Sequence, residues 1–133
     1  MALSFAQNIQ PFVESELRAA AGLLDEGDAE AAFRHLESAH VLGQASTRWH
    51  TLVHVRMLQW AIRRRDLREA VGQLLRIVGA ATKTAIGLVP HGNTGGANVS
   101  PFKVMPISDA HRDILARAAY QGDRDRNRSD QSR

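Results

Sequence analysis

Apolar residues recur at intervals of three and four along the first eighty residues, the spacing expected when one face of an α-helix is buried. The first such run predicts a helix from about Pro11, a residue well suited to the first helical position, to Leu24. An earlier turn could begin at Ser4. Gly27 follows the run and is expected to end the helix.

Two further helices follow from the same periodicity. Asp28 is placed to cap the start of the second helix, and Gly43 is placed to close it. Ser46 is expected to cap a third helix that reaches about Arg64. Apolar residues cover most of the circumference of the third helix, so we expect it at the centre of the fold.

A fourth helix is predicted to begin after Asp66, which forms an Asp-x-x-Glu capping box with Glu69. Its residues divide into an apolar face, expected to be buried, and a polar face, expected to be solvated. The apolar face contains Leu67, Ala70, Val71, Leu74, Leu75, Ile77 and Val78. The polar face contains Arg68, Glu69, Gln73 and Arg76.

The chain changes character after the fourth helix. From Gly87 to Pro106 it is rich in Gly, Pro, Asn, Ser and Thr, which predicts a loop of unusual length. We interpret the Gly-rich centre of this loop as a lid across the bundle, in preference to a cradle for phosphate. Ser108 is expected to cap a short last helix, and the charged segment 121–133 is expected to be a disordered tail.

These patterns predict an all-α protein: an antiparallel bundle of four main helices arranged as hairpins, plus a short C-terminal helix. The length of 133 residues suits one domain, expected over residues 1–120. The absence of cysteine and of a signal-like start predicts a cytoplasmic protein, and no apolar run is long enough to cross a membrane. A net charge of only +3 does not indicate a nucleic-acid partner.

One group of residues suggests a site. Glu37 and His40 are three apart on the second helix, and His50 and His54 are four apart on the third, so each pair projects from one side of its helix. If the two helices form an antiparallel hairpin, all four side chains converge near the bend. Three imidazoles and one carboxylate suit Zn, Cu, Ni, Co or Fe, so the sequence predicts a mononuclear transition-metal site.

Two other residues extend this hypothesis. Met57 lies on the same side of the third helix and could add a soft ligand, although methionine at helical spacing usually belongs to the core. His91, in the Gly-rich loop, could reach over the site. The alternative is that the histidines are structural and satisfy their hydrogen bonds within the core.

Several segments together resemble a known family of short bacterial proteins that is classed only as a domain of unknown function. They are HLESAHVLGQ at 35–44, HTLVH at 50–54, GQLLR at 72–76, PHGNTG at 90–95 and MP at 105–106. Members of that family are often encoded beside heavy-metal resistance genes, so the resemblance implies a role in metal handling. It implies no particular activity.

Three functions are therefore compatible with the sequence. The leading hypothesis is a metal-binding protein for sensing, storage or chaperoning, with Glu37, His40, His50 and His54 as ligands. The second is a helical-hairpin module that docks a protein partner or a second copy of itself. The third is a small enzyme that uses the same cluster as acid and base, but no familiar catalytic motif supports it.

Overall fold

The computed structural model describes residues 3–83, 92–100 and 103–131, and within these ranges it consists of five α-helices without strands. The predicted all-α class is confirmed. The helices are α1 (Phe5–Asp25), α2 (Ala29–Gly43), α3 (Thr47–Arg64), α4 (Leu67–Lys83) and α5 (Asp109–Asp130). None of them is both long enough and apolar enough to span a bilayer.

Each of the first four helices packs on its neighbour in the chain. Helix α1 packs on α2, α2 on α3 and α3 on α4, while α5 returns to α1 and α2. Two tryptophans on α3 form hydrogen bonds to the neighbouring helices. The indole N–H of Trp49 donates to the carbonyl of Ala6 in α1, and the indole N–H of Trp60 donates to the carbonyl of Ala29 in α2, each at 2.8 Å. Each buried indole thereby satisfies its one polar atom.

The apolar core lies between α1, α2 and α3. Its largest fully buried apolar side chains are Ile9, Val13, Leu42, Val53 and Met57. The α3 members occupy the centre of the bundle, as the sequence predicts. His50 and His54 are buried on α3 as well, and His54 contacts Gln73 of α4, so the core is apolar towards α1 and polar towards α4.

Helix α1 begins at Phe5, earlier than the predicted start at Pro11. Ser4 and Gln7 form a reciprocal capping box, in which the side chain of each residue accepts the backbone N–H of the other. Pro11 therefore lies inside the helix and removes one backbone hydrogen bond. Burial of Ile9 and Val13 on either side of Pro11 offsets that loss.

Helix α4 is oriented opposite to the prediction. Its polar residues Glu69 and Gln73 are buried, while large aliphatic residues face outward. The exposed residues are Leu67, Val71, Leu74, Leu75 and Val78. The reason is that α4 packs against α3 and residues 92–100 where these elements present an imidazole, a carbonyl and an amide N–H, so polar side chains find partners there.

The C-terminal helix is longer than predicted. Helix α5 runs ten residues beyond Tyr120, to Asp130, through the segment where a disordered tail is expected. Charged and amide side chains such as Arg and Gln favour helical backbone without needing a buried face, and Ser108 caps the start as predicted. Of the predicted loop, residues 87–91 and 101–102 lie outside the described residues, and 92–100 contain only turns and irregular backbone.

Two helical glycines test the orientation of α4. A Cβ at Gly22 in α1 would meet nothing within 4 Å, so Gly22→Ala should stabilise the fold by about 0.5–1 kcal/mol through helix propensity. A Cβ at Gly72 would lie 2.5 Å from the Cβ of Ala97, so Gly72→Ala should destabilise it by about 1–3 kcal/mol. Urea denaturation measures both. Equal stabilisation by the two variants would contradict the packing of α4 against residues 92–100.

Candidate metal centre

The turn between α2 and α3 brings three histidines together. His40 lies in the last turn of α2, whereas His50 and His54 follow each other on one face of α3. The turn is tight because α2 ends on a glycine: a Cβ at Gly43 would lie 2.9 Å from the Cβ of Trp49. The start of α3 therefore runs close beside the end of α2.

The three imidazoles form a compact and buried triangle. The side chains of His40, His50 and His54 are 3%, 7% and 3% exposed, and their ring centroids are 4.7 to 4.9 Å apart. One ring nitrogen from each lies within 4.8 Å of the other two. Nε2 of His40 lies 3.1 Å from Nε2 of His54.

Hydrogen bonds on the far side of two rings determine where their protons are. Nδ1 of His40 lies 2.5 Å from the carbonyl oxygen of Asn93, which can only accept, so Nδ1 donates. Nδ1 of His54 lies 2.6 Å from Oε1 of Gln73. With the proton on Nδ1, the Nε2 atom of each neutral ring carries a lone pair directed into the triangle.

The orientation of the Gln73 amide is determined by its other partners. Its Nε2 donates to a carboxylate oxygen of Glu69 at 2.6 Å and to the carbonyl oxygen of Gly95 at 2.9 Å. A flipped amide would place its oxygen against two acceptors. Oε1 must therefore face His54, and Glu69 in turn accepts the backbone N–H of Ala97 at 3.0 Å.

Burial keeps these rings neutral. It lowers the pKa of His40 well below its ordinary value, and the neighbouring His54 and His50 lower it further, against the opposing hydrogen bond to Asn93. Burial also lowers the pKa of His54 to about 4, against the hydrogen bond that His54 donates to Gln73 and with a smaller contribution from Arg76. Two unprotonated Nε2 atoms at 3.1 Å repel each other, and together with His50 they form a group of nitrogen ligands that could hold a metal ion.

Residues 92–100 lie directly on the histidine triangle. Gly95 has a φ of +84°, and a Cβ there would lie 2.5 Å from the ring of His40, so both its conformation and its position require glycine. Asn93 holds the segment in shape through its side chain, which donates to the carbonyls of Ser100 and Lys103. The segment presents the carbonyl oxygen of Asn93 to Nδ1 of His40 and that of Gly95 to the amide of Gln73.

Glu37 is not brought into this group of potential ligands. Three residues before His40 on α2, it is half-buried and lines a surface depression with Phe33 and Trp60. Burial raises its pKa, and the nearby carboxylate of Glu69 raises it further.

The sequence offers two further candidate ligands, Met57 and His91. Met57 is fully buried in the apolar core, and His91 lies outside the described residues. His35 pairs with Glu16 of α1 at 2.6 Å, so it joins two helices away from the triangle. Gln44, one turn after His40, has a buried Oε1 without a hydrogen-bond partner among the described residues.

Sequence reasoning missed the residues that orient the imidazoles. The sequence pattern predicts that Glu69 and Gln73 lie on a solvated face of α4. It places Asn93 in a loop and predicts no contact for it. One signal was present: Glu69 and Gln73 are four apart on the same face as the small residues Gly72 and Ala80. A polar pair beside small residues is compatible with close approach of another element, which amphipathicity alone does not reveal.

Comparison with known proteins identifies the family. A model described as "Protein of unknown function (DUF3703)" matches residues 7–115, which cover α1 to α4, the described part of the loop and the start of α5. The chain belongs to this family. No curated protein and no solved structure matches it. The histidine triangle lies within the matched region, as do Asn93 and Gln73, which accept hydrogen bonds from His40 and His54.

The low pKa of His54 predicts how the stability of the metal-free protein depends on pH. Between an unfolded pKa near 6.5 and a folded pKa of about 4, the unfolded chain binds a proton that the folded chain does not. Stability is therefore fully present above this window and is lost as the pH falls through it. His54 alone should account for a loss of about 2 kcal/mol between pH 7 and pH 5.

Urea denaturation of chelator-treated protein at several pH values measures this slope. The variant His54→Gln should show a shallower slope than the parent. A wild-type stability independent of pH between 7 and 5 would show that the imidazole is not buried in its neutral form.

Proposed function

We propose that this protein binds one divalent transition metal ion per chain through His40, His50 and His54, and that it handles this ion as a chaperone or sensor. The observation that supports the proposal is the pair of facing Nε2 atoms, each with its Nδ1 already engaged elsewhere. A metal ion accepts both lone pairs at once. The three-imidazole set also explains why polar groups of α4 and residues 92–100 are buried around it.

The dimensions of the triangle suit a metal ion. Metal-to-imidazole bonds of about 2.0–2.1 Å in tetrahedral geometry place ligand nitrogens about 3.4 Å apart. The Nε2 atoms of His40 and His54, at 3.1 Å, are already close to that spacing, and the third nitrogen lies within 4.8 Å. Small rotations of the rings would complete the set.

The donor set limits the identity of the ion. Imidazole nitrogen binds Zn, Cu, Ni, Co and Fe well, whereas Mg and Ca prefer oxygen. Because the three imidazoles are neutral, they would not neutralise the positive charge of a bound ion. Glu69 lies one amide beyond His54, and ligand partners of this kind raise the basicity of the imidazole and stabilise the bound ion.

A fourth ligand position bears on the function. Three protein ligands leave one position of a tetrahedron for an exchangeable group, which suits uptake and release of the ion. Gln44, with its unpartnered amide oxygen one turn from His40, is a candidate occupant from the protein. One ion per chain favours transfer or sensing over bulk storage, and the expected link of the family to heavy-metal resistance agrees with this role.

Metal content tests the proposal directly. We expect tagless protein, purified without chelator and supplied with Zn²⁺ or Co²⁺, to retain about one ion per chain in elemental analysis. His50→Ala combined with His54→Ala should lose it. His35→Ala is the matched control, since its imidazole is tied to Glu16 outside the triangle, and it should retain full stoichiometry.

Circular dichroism of each variant separates loss of the site from loss of the fold. Co²⁺ adds a second readout, because tetrahedral coordination produces intense visible absorption bands. A folded wild-type protein that binds neither ion, or a double variant that binds as well as the wild type, would contradict the proposal.

The role of Gln73 gives a second prediction. Without its amide oxygen, Nδ1 of His54 loses its acceptor, so the proton is free to move to Nε2 and block the lone pair that the metal needs. Gln73→Leu should weaken metal affinity about 10- to 100-fold while leaving all three ligands in place. Competition with a chromophoric chelator measures the change.

Gln59→Leu is the control for this substitution, because Gln59 is exposed on α3 and pairs only with Arg56 among the bonds described. Its affinity should equal that of the wild type. Equal affinities for Gln73→Leu and Gln59→Leu would show that Gln73 does not orient the ligand.

A further inference from the structure

The outward face of α4 has the composition of a buried surface. Leu67, Val71, Leu74, Leu75 and Val78 are 79%, 57%, 55%, 73% and 67% exposed. Among the exposed residues of α4 whose side chains are described, Arg68 alone is charged. Scattered exposed aliphatic residues are common on soluble proteins, but a continuous stripe along one helix marks an interaction surface.

The spacing of the stripe favours another helix as its occupant. Leu67, Val71, Leu74 and Val78 are separated by four, three and four residues, the spacing of the seam by which two helices pack together. The positions beside the seam are mostly uncharged, including Ala70 and Leu75. A helix that lies on an anionic lipid surface would instead carry rows of Lys and Arg along both margins of its apolar face.

We propose that two copies of this protein associate through α4, with the two α4 helices antiparallel and the apolar stripes overlapping. In a dimer with a two-fold axis, the apolar stripe of one copy packs against the same stripe of the other, so both stripes become buried. Five large side chains that are each more than half exposed offer on the order of 500 Å² per copy, and twice that area reaches the lower range of specific interfaces, about 1,000 Å².

Charge determines the direction of the helices. Arg64, Arg65 and Arg68 are exposed at the N-terminal end of α4. A parallel pair would place these three arginines of one copy beside those of the other, which is unfavourable. In an antiparallel pair the two basic groups are separated by the length of α4, about 25 Å for 17 residues.

This inference does not depend on the metal. The inward face of α4 carries Glu69 and Gln73, and the outward face carries the stripe, so the two faces can be altered separately. Sedimentation equilibrium of the wild-type protein, with and without chelator, should give twice the chain mass in both conditions. A metal-free protein that remains dimeric would support the interface even if the metal site failed.

A charged substitution in the stripe tests the contact. Leu74→Glu should convert the protein to a monomer, with at least a tenfold rise in the dissociation constant, and should leave the circular dichroism spectrum unchanged because the side chain is half exposed. Val104→Glu is the matched control: Val104 is 68% exposed outside α4. It should stay dimeric. A wild-type monomer at all concentrations, or equal effects of the two variants, would overturn the proposal.

Cross-linking tests the direction, since the chain contains no cysteine of its own. In the antiparallel pair a cysteine at Leu74→Cys lies near the two-fold axis, whereas the two cysteines of Leu67→Cys lie about 16 Å apart along the helices. A short bis-maleimide reagent should therefore join the Leu74→Cys copies and not the Leu67→Cys copies. Efficient cross-linking of both variants would contradict the antiparallel arrangement. A protein that stays monomeric and binds anionic vesicles would contradict the proposal that the partner is a second copy.

Discussion

Nε2 of His40 and Nε2 of His54 lie 3.1 Å apart in the interior of this protein, and the hydrogen bonds around them favour the tautomers that carry no proton on Nε2. Asn93 and Gln73 each accept the proton that the ring keeps on its other side. Burial prevents either ring from becoming charged. Such an arrangement is electrostatically unfavourable on its own, and it is the observation on which the proposed metal site rests.

The same constraint explains the unusual orientation of α4. A core that contains three imidazoles needs polar neighbours, and Glu69 and Gln73 supply them at the expense of leaving the aliphatic side of the helix exposed. In an isolated chain this exposure is unfavourable by the hydrophobic effect. Association with a second copy would bury the stripe. The proposed metal site and the proposed interface therefore both follow from the orientation of α4, whose polar face is turned towards the histidines.

The sequence predicts the helices well because caps and periodicity are local properties: Asp28, Ser46 and Ser108 each cap the helix expected of them. It also predicts that His40 and His54 converge, because a short turn after α2 leaves little freedom. The sequence prediction is wrong where a contact between residues far apart in the chain determines which face of a helix is buried. The polar face of α4 is buried because of what it meets, and a hydrophobic pattern contains no information about that partner.

The central claim is that the three histidines present unprotonated nitrogens to one point. Long-range ¹H–¹⁵N correlation spectra of metal-free protein at neutral pH, with labelled histidine, identify the protonated nitrogen of each ring. The account predicts protons on Nδ1 of His40 and His54, and a change in the Nε2 resonances of both on addition of one equivalent of Zn²⁺. Protons on Nε2, or resonances unchanged by excess Zn²⁺, would contradict it.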